Sequence, residues 1–139
     1  MNVKLTDFGF ATAYDKDGDG LKTVLGTPYY MAPEIVKKRP YGPGVDVWSV
    51  GVICHILLSG HAPFHGKTKD EIAASILRDA PTYGGIKHTL SSRAIYFTNE
   101  CLVKNPKERP TAEQMLMHPW LQDNVESPAI DTKSSAQIK

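Results

Sequence analysis

Between Val45 and Leu58 apolar side chains occur on every face a helix can offer: Val45, Val47, Trp48, Val50, Val52, Ile53, Ile56, Leu57 and Leu58 leave no consistent polar stripe. Such a helix is one that other helices surround, so the pattern predicts a central helix ended by Gly60 and Pro63. Two amphipathic patterns follow. Thr68-x-x-Glu71 reads as a capping box for a helix running to about Asp79, with Ile72, Ala73, Ile76 and Leu77 as its inner stripe. Ser91 is a cap for a second helix that buries Ala94, Ile95, Phe97, Cys101 and Leu102. Thr111-x-x-Gln114 opens a short last helix that Pro119 stops.

Ahead of the central helix the pattern weakens. Val3-Lys4-Leu5 alternates like a short strand, and Tyr14 to Gly20 is turn chemistry throughout, which predicts a mobile, solvent-facing loop. Glu34 to Lys38 suggests one short helix before the Gly42-Pro43-Gly44 breaker. Residues 122–139 are small and polar without a period and read as a flexible tail. The expected fold is therefore mainly α.

Composition narrows the field. With 139 residues, 41% hydrophobic and 22% charged, the chain is long enough for one modest domain. Sixteen Lys plus Arg against fifteen Asp plus Glu give a net charge of +1, which supports neither nucleic-acid nor membrane-surface binding. Cys54 and Cys101 lack CxxC spacing, so neither a zinc site nor a disulfide framework is expected, and an intracellular, cytoplasmic setting fits best. No apolar stretch is long enough to span a bilayer.

The candidate chemistry lies at the start. Asp7-Phe8-Gly9 puts a carboxylate, the ligand a hard cation such as Mg²⁺ prefers, at a strand-to-turn junction. Phe8 is expected to pack behind it and Gly9 to let the backbone turn. Asp15-Lys16-Asp17-Gly18-Asp19-Gly20 imitates the opening of a calcium loop, but its twelfth position is Gly26 where a bidentate carboxylate is needed. It reads as a solvated acidic turn. Lys37-Lys38-Arg39 reads as a solvated basic loop and His118 as a packing residue.

Taken together, Val3-Lys4-Leu5-Thr6-Asp7-Phe8-Gly9, Gly26-Thr27-Pro28-Tyr29-Tyr30-Met31-Ala32-Pro33-Glu34 and Asp46-Val47-Trp48-Ser49-Val50-Gly51 resemble the eukaryotic protein kinases. Within them the chain is most similar to the calcium/calmodulin-dependent group. Pro63-Phe64, Arg109-Pro110-Thr111 and His118-Pro119-Trp120 extend the likeness over about residues 3 to 121. The resemblance implies a partial kinase domain at 1–121, namely the activation segment and the helical carboxyl-terminal lobe, truncated before the catalytic loop.

It also implies roles. Asp7, with Phe8 and Gly9, would hold magnesium on ATP, and Gly26, Thr27, Pro28 and Tyr29 would receive the protein substrate in the serine/threonine-specific manner. Thr23 matches the position that an upstream kinase phosphorylates in many relatives. Glu34 would pair with Arg109, and Trp48 would be core. Asp46 has two readings: a buried acceptor for backbone N–H groups of the catalytic loop, or a simple helix-start carboxylate. The departures from the family pattern are as telling. These residues contain no Gly-rich phosphate loop, no Val-Ala-Ile-Lys strand and no His-Arg-Asp loop, so the isolated chain is not expected to transfer phosphoryl groups.

Overall fold

In the computed structural model, which describes residues 4–24 and 26–122, six helices account for most of the regular structure. They are α1 (Pro33–Val36), α2 (Gly44–Ser59), α3 (Lys69–Arg78), α4 (Ser92–Cys101), α5 (Ala112–Leu116) and α6 (Pro119–Gln122), with 3₁₀ turns at Pro28–Tyr30 and Gly84–Thr89. Among the described residues there is no strand, only an isolated antiparallel bridge between Leu21 and Tyr41. Lys4 and Leu5 are irregular, and Val3 lies outside the described residues, as does the expected tail from residue 123.

Helix α2 lies between two apolar clusters. Trp48 and Val52 meet Ala32, Phe64, Ile72, Ile76 and Leu102 on one side, while Val47 meets Phe97, Cys101 and Met115 on the other. Trp48 and Phe64 stack with ring centroids 5.5 Å apart and planes within 7°. A side chain at Gly51 would place its Cβ 2.6 Å from the Cys101 Cβ, so only glycine lets α2 and α4 approach this closely. Two sides of the helix are thus closed.

The third side is open, contrary to the expectation of a helix surrounded on all faces. Val50, Ile53 and Leu57 form a stripe with 45%, 47% and 79% of their surface exposed. No described segment packs over it.

The caps show what local sequence decides. Ser91 Oγ accepts the Ala94 N–H at 3.1 Å, and Thr111 and Gln114 close a full capping box through bonds of 2.7 and 3.3 Å. Thr68 Oγ1 accepts the Glu71 N–H, but Glu71 Oε2 accepts from Lys67 N–H at 2.7 Å instead of closing the box on Thr68. Pro119 does not end the helical region. It starts α6, where proline suits the first turn, and His118 Nδ1 accepts the Trp120 N–H at 3.0 Å as a cap.

A polar cluster closes the far end of α2. His55 is fully buried, its Nδ1 3.0 Å from the His61 carbonyl and 3.1 Å from Ser59 Oγ, with the Tyr83 ring centred 4.6 Å away. Burial lowers the His55 pKa from 6.5, opposed in part by backbone hydrogen bonds to His61 and Thr82, while the charges of His61 and His65 add to the lowering. The folded state therefore prefers the neutral ring. The stability this gives is fully present above the unfolded pKa of 6.5 and is lost as pH falls toward the lower folded value. Urea unfolding should show lower stability at pH 5.5 than at 7.5, with a shallower loss in a His55→Phe chain. Equal slopes would remove His55 as the cause.

Candidate functional site

Asp7 adopts φ 62, in the left-handed region that aspartate tolerates better than most residues. Its Oδ1 accepts the Gly9 N–H at 3.1 Å, and the Ala11 N–H bonds the Phe8 carbonyl at 3.0 Å, which completes a tight turn. The second carboxylate oxygen is left for solvent. Phe8 does not pack behind Asp7 as expected; it is 70% exposed, because no described segment supplies a wall there.

Of the substrate candidates, Gly26 and Thr27 border a cavity of about 450 Å³, whereas Pro28 and Tyr29 are not part of its lining. Gly26, Thr27, Tyr30, Met31, Ile35, Val45, Asp46 and Ser49 line it together with Phe10 and Tyr14. Gly26 has φ 104, Thr27 is exposed, and the turn Pro28–Tyr30 is closed by the Tyr30 N–H on the Thr27 carbonyl at 3.1 Å. Ser49 Oγ donates to the Tyr30 carbonyl at 3.2 Å and ties this turn to α2. Asp46 is exposed in the first turn of α2, not buried, because this end of the helix faces the open cavity.

Beneath this surface Glu34 and Arg109 meet. Arg109 Nη1 donates to Glu34 Oε1 at 2.7 Å and Nη2 to Oε2 at 2.9 Å, a planar fork on a carboxylate across 75 residues. Two further donors are also used, Nη1 on the Gly44 carbonyl at 2.8 Å and Nε on the Val103 carbonyl at 2.9 Å. The guanidinium lies 5.2 Å from the centre of the Trp48 ring. One buried arginine therefore joins α1, the start of α2 and the loop before α5.

The acidic turn is exposed, as expected, yet it is not free. The Asp17 N–H bonds Asp15 Oδ1 at 3.0 Å, the Tyr14 ring rests on Gly42, and Leu21 exchanges backbone hydrogen bonds of 2.8 and 2.9 Å with Tyr41. Tyr41 Oη also donates to the Thr23 carbonyl at 2.6 Å. The sequence drew attention to Thr23 but not to Tyr41, which stands among prolines and glycines and reads as part of the breaker. An aromatic residue inside such a breaker was the available signal.

A magnesium–nucleotide complex needs several ligands and a cradle for phosphates. Here Asp7 offers one open oxygen, and among the described residues no three His, Cys, Asp or Glu gather into a cation site. These residues alone do not fit the group. Burial pushes the Cys101 thiol up to about 12 and raises Cys54 as well, which favours the protonated, less nucleophilic form of both. Among the described residues no helix is long and apolar enough to cross a membrane.

Comparison with known proteins gives this geometry its context. The protein kinase domain family matches residues 1–121. A probable myosin light chain kinase of Dictyostelium discoideum is 42% identical over 88% of the chain, and calcium-dependent protein kinase 10 of Arabidopsis thaliana is 42% identical over 92%. Serine/threonine-protein kinase 17A of Oryctolagus cuniculus is 36% identical over 98%. The chain covers 31%, 23% and 34% of the lengths of these three relatives. Protein kinases as a family use ATP and magnesium and act on protein substrates. The chain belongs to the protein kinase domain family, and what it matches there is the carboxyl-terminal part of the catalytic domain.

Proposed function

We propose that the chain is the substrate-side portion of a serine/threonine protein kinase that transfers the γ-phosphoryl group of ATP to protein serine or threonine, and that alone it performs no transfer. In the longer protein Asp7 holds magnesium, the surface at Gly26, Thr27, Pro28 and Tyr29 receives the substrate, and Glu34 with Arg109 braces that surface. Thr23 is the residue an upstream kinase modifies. Two unpaired thiols suit an intracellular enzyme.

The observation that carries this reading is the uncovered apolar side of the fold. Leu5 is 87% exposed, Phe10 71% and Leu57 79%, and they accompany Phe8, Val50 and Ile53 near the candidate ligand and along the central helix. So much apolar surface around the functional residues is what a domain interface exposes when its other half is absent. Leu57→Ser tests it. In the isolated chain the change should leave stability within about 0.5 kcal/mol, as exposed substitutions do. In the longer protein it should cost about 2 kcal/mol or more, as loss of a buried leucine does. Equal tolerance in both would favour the second reading.

That second reading is a binding module without chemistry, derived from a kinase. The Glu34–Arg109 brace is made entirely from described residues, which favours it. The coding sequence upstream of Met1 separates the two. An in-frame His-Arg-Asp motif about twenty residues before Asp7 supports the enzyme, whereas a stop codon supports the module.

A further inference from the structure

We propose that Tyr41 is a latch on the Thr23 segment: while it is closed, Thr23 is withheld from a modifying kinase, and its release sets how fast Thr23 is phosphorylated. The proposal rests on the reading of Thr23 as an acceptor, and it names the regulation of that residue. Three hydrogen bonds hold the segment. The Leu21 N–H donates to the Tyr41 carbonyl at 2.8 Å, the Tyr41 N–H to the Leu21 carbonyl at 2.9 Å, and Tyr41 Oη to the Thr23 carbonyl at 2.6 Å. The side chain of Thr23 is exposed, but its backbone is not free.

Accessibility of a hydroxyl is not sufficient for phosphorylation. An acceptor segment must leave its own fold and lie extended in the other enzyme's cleft, with its backbone groups available for new partners. Here the residue two before Thr23 has both backbone groups committed, and Thr23 has its carbonyl committed. Tyr41 makes all three bonds. Its position is fixed from behind, since it follows Pro40 and precedes Gly42, on which the Tyr14 ring packs.

Gly20 shows how closely the two segments approach. It has φ 76, and a Cβ there would stand 3.1 Å from the Tyr41 carbonyl oxygen and 3.3 Å from the Pro40 Cβ. Any side chain at this position would strain the backbone and push the segments apart. Exposed segments held by a few hydrogen bonds open locally, independently of the global fold.

Limited trypsin digestion of the 139-residue chain provides the test, because the Lys22–Thr23 bond lies inside the latched segment and the Lys16–Asp17 bond lies outside it. Tyr41→Phe keeps the ring and removes the hydroxyl bond, so cleavage after Lys22 should rise by about three- to tenfold, the worth of one hydrogen bond. Cleavage after Lys16 should be unchanged. Gly20→Ala should raise Lys22 cleavage without altering Tyr41. Unchanged Lys22 cleavage in both variants overturns the latch, as does an equal rise at Lys16, which would mean general loosening. Phosphate occupancy of Thr23, read by mass spectrometry in the longer protein isolated from cells, should be higher in Tyr41→Phe than in the parent. Faster Lys22 cleavage with no phosphate on Thr23 in either protein overturns the acceptor reading and retains the latch.

Discussion

Glu34→Ala should lower the unfolding free energy of the chain by about 3–5 kcal/mol in urea denaturation, because it leaves the Arg109 guanidinium buried without its carboxylate. The side chain of Arg109 has no solvent exposure and that of Glu34 only 5%. Water cannot replace the lost partner there. Small domains have about 5–15 kcal/mol in total, so this one change takes a large share. Arg109→Lys should be nearly as costly, since a lysine cannot reproduce the two-pronged contact and also lacks the donors that reach Gly44 and Val103. Removing both charges together, as in Glu34→Leu with Arg109→Met, should cost less than the sum of the single changes. A loss below about 1 kcal/mol for Glu34→Ala would mean that the pair is solvated and does not brace α1 against α2 and the loop before α5.

Much of this fold is legible in the sequence where the cause is local. Ser91 and Thr111 cap their helices because the side chain and the amide it accepts are three residues apart. Glu71 differs because its carboxylate can reach either Thr68 or Lys67, and the path of the preceding loop decides between them. Pro119 reads equally well as a stop or as a first-turn residue, and only the cap from His118 settles which.

The long-range features divide in the same way. Hydropathy indicates that Trp48, Ile53 and Leu57 all prefer burial, but not which segment buries each. Trp48 finds Phe64 and Arg109, whereas Ile53 stays half exposed and Leu57 mostly exposed. The Glu34–Arg109 contact emerges only from the family likeness, because no local pattern links residues 75 apart. The role of Tyr41 is missed, with its aromatic character inside a breaker the one local hint. Its hydroxyl works on a carbonyl 18 residues away, and its neighbours signal only a break in the chain.

The most direct measurement is phosphoryl transfer itself. The purified 139-residue chain, given magnesium and γ-labelled ATP with a library of serine- and threonine-containing peptides, should transfer no label above the buffer control, because on the proposed reading Asp7 supplies one ligand only and no group of three His, Cys, Asp or Glu gathers around a cation among the described residues. The longer protein should label the same peptides, and Asp7→Asn should abolish that activity. Magnesium-dependent labelling by the purified 139-residue chain, lost on Asp7→Asn, would contradict the assignment of these residues to an incomplete catalytic unit.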